Sequence, residues 1–312
     1  MMRNNIILVL ITAFCFTTYE PVAKLFAGEI NPFAITAIRF FVGSLFLLPF
    51  SFIEIKKNKI KLTLNDWLWM FGLGILFICI SMVLLQFAIK VADSPALIAI
   101  IFSSNSIFTI ILSAIFLKNK LTIPKIIGII LCVIGVLVSA DLSKGTNLLS
   151  VLLALLSSLT FSIYTVLSKK NMSKLNGIVQ TGFSFLGGSM VLIIITLISG
   201  INIFGGISTS NIGQLLYVAI IVTGVGYFAY SEAVRIGGAH IAAMAFLIKP
   251  ILTPLATFVI NGIKPDSNIF IALILVVVGA SLATGVQKSI KRGKSICGSD
   301  AENTSANESS EL

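Results

Sequence analysis

An all-α integral membrane fold, with ten transmembrane helices arranged as two inverted five-helix repeats, is the architecture this sequence predicts. Three observations carry it. Of 312 residues, 57% are hydrophobic and 11% are charged, against roughly a quarter charged in an average soluble domain. Ten apolar stretches approach the ~20 residues that span ~30 Å of hydrocarbon as a helix. The chain also matches itself after a shift of 145 residues.

The stretches lie near 4–26, 31–53, 66–89, 95–117, 122–140, 148–168, 176–199, 210–234, 240–262 and 267–287. The first is too long for a signal peptide. It continues through Glu20 to Lys24 and has no small-residue cleavage pattern. Helix starts are signalled by Asn31-Pro32, Asn65-Asp66, Ser94-Pro95, Thr122 with Pro124, and Asp266-Ser267. The fifth and sixth stretches are the shortest. Residues 288–312, rich in Ser, Asn and Glu, form no core and read as a disordered tail. Two five-helix units, 4–140 and 148–287, are thus expected before that tail. Cys15, Cys79 and Cys132 lie inside apolar runs and Cys297 lies in the tail, none at CxxC spacing; they read as small hydrophobic residues.

The net charge of +10 sits in the short gaps between apolar runs. It reads as an orientation signal facing lipid headgroups, not as a nucleic-acid surface. With the N-terminus inside, inner segments hold sixteen Lys or Arg and outer ends hold four, Lys24, Lys90, Lys144 and Lys264. That bias predicts a multi-pass protein of the cell membrane with both termini cytoplasmic.

The shift of 145 lays Phe16, Tyr19 and Lys24 on Phe161, Tyr164 and Lys169, and Phe40, Gly43 and Ser44 on Phe185, Gly188 and Ser189. It also matches Ala88-Ile89-Lys90-Val91 with Ala233-Val234-Arg235-Ile236; one residue later, Gly135 pairs with Gly279. Five helices per unit is an odd number, so the second unit enters the membrane from the opposite side. Such repeats are a signature of secondary transporters.

Pro21-Val22-Ala23-Lys24, Pro32 with Arg39-Phe40, and Phe87-Ala88-Ile89-Lys90 to Ser94 and Ala96 mark the first half. Thr223-Gly224-Val225-Gly226-Tyr227, Ala233 and Arg235, Gly238-Ala239, and Lys249-Pro250 to Thr253-Pro254 follow in the second. In order and spacing these motifs resemble the EamA-type transporters of the drug/metabolite transporter superfamily, over about residues 5–287. The resemblance implies a central cavity between two five-helix units, with access alternating between the two sides. It also implies substrates among amino acids, other metabolites and toxic compounds, often exported. Two departures stand out. Lys118-Asn119 and Gly262-Ile263 replace a frequent Gly-Glu pair, and Asn105 stands where a proline is common.

Charges inside the membrane are the sharpest local signal, because each costs about 2.5–3.5 kcal/mol at a helix centre. Lys249 lies about 13 Å into the ninth stretch at 1.5 Å per residue, before Pro250. The repeat places Ser104-Asn105 at the matching position. Polar interruptions at matched midplane positions point to a transport site; the alternative is that Lys249 ties its helix to a neighbour. Glu20 and Arg39 have depths compatible with an ion pair, which either fixes packing or makes Glu20 a protonatable coupling group. Glu232, Arg235 and His240 read as a cytoplasmic gate or as a solvated helix end. Tyr19, Tyr164, Tyr227 and Tyr230 read as cavity-lining aromatics or as packing and interface anchors.

No P-loop is present, so transport would draw on a gradient or a partner ATPase. No membrane carboxylate pair or His/Cys/Glu spacing suggests catalysis, a metal or a cofactor. The expectation is a non-enzymatic secondary transporter of small organic solutes, coupled to protons or acting by facilitated diffusion. A channel is the alternative; substrate, direction and oligomeric state stay open.

Overall fold

Residues 2–116, 122–139, 147–265 and 267–284 are described in the structure, a computed structural model. The tail 288–312, Lys118-Asn119, Lys120, Lys144 and Asp266 lie outside the described residues. Regular structure among the described residues is helical throughout. The first half comprises α1 (Met2–Thr17), α2 (Tyr19–Phe26), α3 (Pro32–Asn58), α4 (Leu64–Gly74), a π-helical segment Ile75–Met82, α5 (Val83–Val91), α6 (Pro95–Phe102), α7 (Asn105–Phe116) and α8 (Ile123–Ser139). The second comprises α9 (Leu148–Leu175), α10 (Gly177–Ile198), α11 (Ile212–Leu216), a π-helical segment Tyr217–Val225, α12 (Gly226–Asn261) and α13 (Ser267–Thr284). Among the described residues, seven stretches are long and apolar enough to cross a membrane: Ile6–Phe26, Pro32–Asn58, Leu64–Val91, Pro95–Phe116, Leu148–Ser168, Gly177–Ile198 and Ile212–Ala233. Shorter apolar helices cover Ile123–Gly135, Ile251–Asn261 and Ser267–Gly279.

Local chemistry sets the helix starts. Asn31 caps α3 by accepting from Phe33 N at 2.9 Å, with Pro32 at the first helical position. Asn176 caps α10 by the same bond to Ile178 N. These two asparagines are themselves 145 residues apart. The start expected at Asn65-Asp66 falls two residues earlier, at Thr63. There the Asp66 carboxylate accepts from both the Thr63 amide (2.8 Å) and its hydroxyl (2.7 Å), so Asp66 is the third residue of the helix and not its cap.

Two breaks interrupt otherwise continuous spans. Pro21 has no N–H to give Thr17, and the first span breaks at Thr18. The fourth span breaks at Ser103-Ser104, where the Ser103 hydroxyl donates to Ala99 O at 2.7 Å and competes with the backbone ladder. In contrast, the chain stays helical through Lys249-Pro250.

The helical run α12 is not one straight rod. Sixteen residues of straight helix rise about 24 Å, yet the Tyr230 and Phe246 rings lie 5.6 Å apart. The chain therefore reverses between them. Both arms pack on α1, where Val9 and Ala13 meet Ala233 and Ala245. The reversal expected between the eighth and ninth stretches is present, but made within helical backbone.

Contacts between the halves are reciprocal. A Cβ on Gly135 would meet Val276 and the Ala272 carbonyl, and one on Gly279 would meet Cys132 and the Gly128 carbonyl. Gly43 of α3 lies against Thr223 and Ala219 of the second π segment, while Gly188 of α10 lies against Gly74, the last residue of α4 before the first π segment. At these crossings the missing side chains let backbones approach closely, as in membrane helix packing. Core residues such as Phe40, Phe77 and Phe185 are fully buried between the halves, while Ile194, Ile198, Ile274 and others face outward toward the lipid.

Candidate functional site

The break at Thr18 presents Tyr19 and Glu20 to the middle of the molecule. Glu20 is fully buried, and its Oε1 accepts from Lys249 Nζ at 2.5 Å. Lys249, 5% exposed, comes from the second arm of α12, so the ion pair bridges the two halves. The expected pairing of Glu20 with Arg39 does not form. Lys249 satisfies Oε1, no hydrogen-bond partner reaches Oε2 among the described residues, and Arg39 lies on aromatic rings instead. Its guanidinium carbon is 4.0 Å from the Tyr19 ring centroid and 4.4 Å from that of Phe40, and Nη2 lies 3.6 Å from Met82 Sδ.

These groups surround a central cavity with about 30 Å³ of room for the centres of water-sized molecules, more than the ~10–15 Å³ that admits one water. Its wall takes Phe16, Tyr19, Arg39, Met82, Leu85 and Phe102 from the first half and Phe161, Val222, Tyr227, Phe246 and Lys249 from the second. Of the expected tyrosines, Tyr19 and Tyr227 line it, while Tyr164 and Tyr230 pack behind the wall. Tyr19 donates to Gln86 Oε1 at 2.7 Å. Tyr227 packs on Phe185 (4.8 Å) and Phe16 (4.9 Å). Tyr164 stacks on Phe77 at 4.5 Å, and Tyr230 meets Phe246 and Phe16 one layer further out. Each such pair adds about 0.5–1.5 kcal/mol beyond its buried area, so the aromatic shell holds Arg39 and the ion pair in place.

Ser104 and Asn105 are buried but do not line this cavity. They form a polar seam with the sixth span. Ser104 shares a hydrogen bond with Ser158 at 2.8 Å, Ser162 donates to Asn105 O at 2.7 Å, and Ser157 donates to Ser81 O at 2.7 Å. The structure thus separates two candidates that the repeat aligned, since the helix carrying Asn105 turns its polar face to a different neighbour. Phe102, one turn before, reaches Lys249 instead, with Nζ 5.2 Å from its ring. Glu232 is half-buried on α12; Arg235 and His240 lie on the same helical run, and their side chains lie outside the described residues.

Sequence reasoning missed Gln86 and the serine seam. A fully buried glutamine in an otherwise apolar run, and Ser157, Ser158 and Ser162 within one helical face, were the available signals. Lys24 serves a different purpose from the cavity groups. It donates to Ile89 O (3.2 Å), Lys90 O (3.1 Å) and Ala92 O, closing the C-terminus of α5 with a positive charge.

Two hydrogen bonds link the halves at opposite ends. Asn211 donates to Glu29 at 2.5 Å, and Asn176 donates to Glu54 at 2.9 Å. Near the second of these, Ser51 also donates to Ile178 O at 3.1 Å.

Residues 3–140 and 148–285 each match the EamA-like transporter family. An uncharacterised transporter of Clostridium kluyveri is 33% identical over 99% of this chain and all of its own length. The uncharacterised transporter YyaM of Bacillus subtilis is 25% identical over 92% of this chain and 95% of its own. A solved crystal structure superimposes with a TM-score of 0.65 at 18% identity, covering 91% of this chain and 97% of that one; at that identity the likeness concerns the fold.

Proposed function

The chain belongs to the EamA-like transporter family, a membrane transporter and not an enzyme, and from that premise we propose that it is a secondary exporter of small organic metabolites, amino-acid-like or drug-like, working by alternating access. The observation that carries this reading is the buried Glu20–Lys249 ion pair joining the two halves beside a cavity that both halves line. Buried charges of this kind mark substrate and ion pathways in membranes.

The proposed architecture is ten spans in two inverted units, 4–140 and 148–287. The three shorter apolar helices supply the fifth, ninth and tenth spans. Reciprocal contacts support inversion: Gly135 with Ala272 against Gly279 with Gly128, each pair 144 residues from its counterpart. An exchange of this form is what a two-fold axis produces, and an odd number of spans lays that axis in the membrane plane. Positive-charge bias supports cytoplasmic termini. On that topology Glu29–Asn211 closes the outer end and Glu54–Asn176 the inner end. Both bonds are made in this conformation, which we read as one with neither end fully open. A carrier opens one end at a time, and two closed ends favour that over a channel.

Substrate enters only when one end opens, and the breaks at Thr18 and Ser103-Ser104 and the two π segments give the helices places to bend. Glu20 is the group we assign to proton coupling: protonation removes its charge and frees Lys249. Efflux from proteoliposomes, profiled against a metabolite panel with and without a pH gradient, tests the reading. We expect gradient-driven, saturable release of organic solutes, absent with Lys249→Ala in protein that still purifies as one species. Full activity of that variant refutes the assignment.

A further inference from the structure

We infer that the solute carried is an organic monoanion whose carboxylate is held by Arg39, with its apolar body against the aromatic wall. This rests on the transport reading above. Arg39 is 2% exposed and lines the central cavity. Its guanidinium offers five N–H donors and accepts none. The described surroundings engage it weakly, through the Tyr19 and Phe40 rings and the Met82 thioether. Among the described residues, Nε and Nη1 have no hydrogen-bond partner.

Charges buried in proteins are normally paired, because an uncompensated one costs far more than it returns. The buried acid of the site, Glu20, is already engaged by Lys249. Arg39, Lys249 and Glu20 together leave one uncompensated positive charge at the cavity. A single negative charge on the bound solute neutralises it. A zwitterion brings no net charge and would leave that positive charge unbalanced, because the Glu20 charge is already matched by Lys249.

Geometry narrows the anion further. A planar guanidinium fork matches a carboxylate by two parallel hydrogen bonds. Both rings contact the guanidinium through cation–π interactions, which restrict the fork before the ligand arrives. Besides Tyr19, Tyr227 and Lys249, most of the wall is apolar, with Phe16, Leu85, Phe102, Phe161, Val222 and Phe246 in it, and suits a hydrocarbon or ring body. A sugar or polyol would leave its hydroxyls unpaired there.

The test uses the full chain in proteoliposomes loaded with a small-molecule cell extract that spans anions, zwitterions, cations and neutral solutes. Released solutes are identified by mass spectrometry after subtraction of protein-free vesicles. Expected are apolar-bodied solutes of net charge −1. Their release falls by about tenfold or more with Arg39→Gln, the loss of one charge-assisted contact, and less with Arg39→Lys. Release confined to zwitterions, cations or neutral solutes overturns the inference and leaves transport standing, as does anion release unchanged in Arg39→Gln. Wild-type release decides the charge class even if the Gln variant fails to fold. No release of any solute overturns the transport reading itself.

Discussion

Removing one member of the Glu20–Lys249 pair and then both separates its structural from its functional part. Oε1 and Nζ are 2.5 Å apart, and their side chains are 0% and 6% exposed. Lys249→Met therefore leaves the buried carboxylate without its hydrogen-bonded counter-charge. Breaking a buried pair in this way costs about 3–5 kcal/mol, whereas replacing both members by neutral groups is often near neutral. Glu20→Gln alone strands the ammonium and costs a similar amount. The double variant Glu20→Gln/Lys249→Met should recover most of either loss, a coupling of about 2 kcal/mol or more. Unfolding free energies in micelles, as a denaturing detergent replaces a mild one, give the cycle. Trp67 and Trp69, the chain's two tryptophans, report on α4 by fluorescence. Additivity of the two substitutions within about 0.5 kcal/mol, the value for independent sites, refutes the pairing. Transport then adds a second axis. A stable double variant that no longer exports assigns the pair to coupling; one that exports normally confines it to packing.

Gly188→Ala, which drives a Cβ into the Gly74 backbone, should cost about 1–3 kcal/mol or prevent folding; Gly28→Ala, with open space around it, should stay within about 0.5 kcal/mol. The same micelle titration compares them. Asn31→Ala should cost about 1 kcal/mol as a lost cap. Asn176→Ala should cost more, because it also loses the Glu54 bond and puts alanine at φ +62; equal losses would refute the account of that cap. For topology, a cysteine introduced after Ser208 should react with an impermeant maleimide from outside and one at Asn58 only after permeabilisation, in a background lacking the native cysteines. The reverse pattern overturns the orientation.

Much of the fold was legible because lipid imposes a simple rule. Apolar runs of span length become helices, since no other way satisfies the backbone there, and Pro32, Ser94-Pro95 and the Asn caps mark their starts. The intramembrane charges were legible for the same reason: Glu20, Arg39 and Lys249 stand out in a chain with 11% charged residues. The four tyrosines stood out by their matched or one-turn spacing. What periodicity and repeat matching do not carry is rotation about each helix axis. Ser104-Asn105 and Lys249 align by repeat, yet one turns toward the sixth span's serines and the other toward Glu20.

Partner choice was settled by packing. Glu20 and Arg39 had compatible depths, but depth is one coordinate of three. The break that Pro21 makes at Thr18 swings Glu20 toward Lys249, while Arg39 settles between the Tyr19 and Phe40 rings. The amino-acid sequence by itself determined that this chain is a helical membrane protein built from two related halves, because hydrophobic length and repeat spacing are one-dimensional quantities. Which charges meet, which polar residues reach the cavity, and that Arg39 is left with bare donors are three-dimensional facts. They depend on how α1, α3 and α12 cross, and only the tertiary structure decided them.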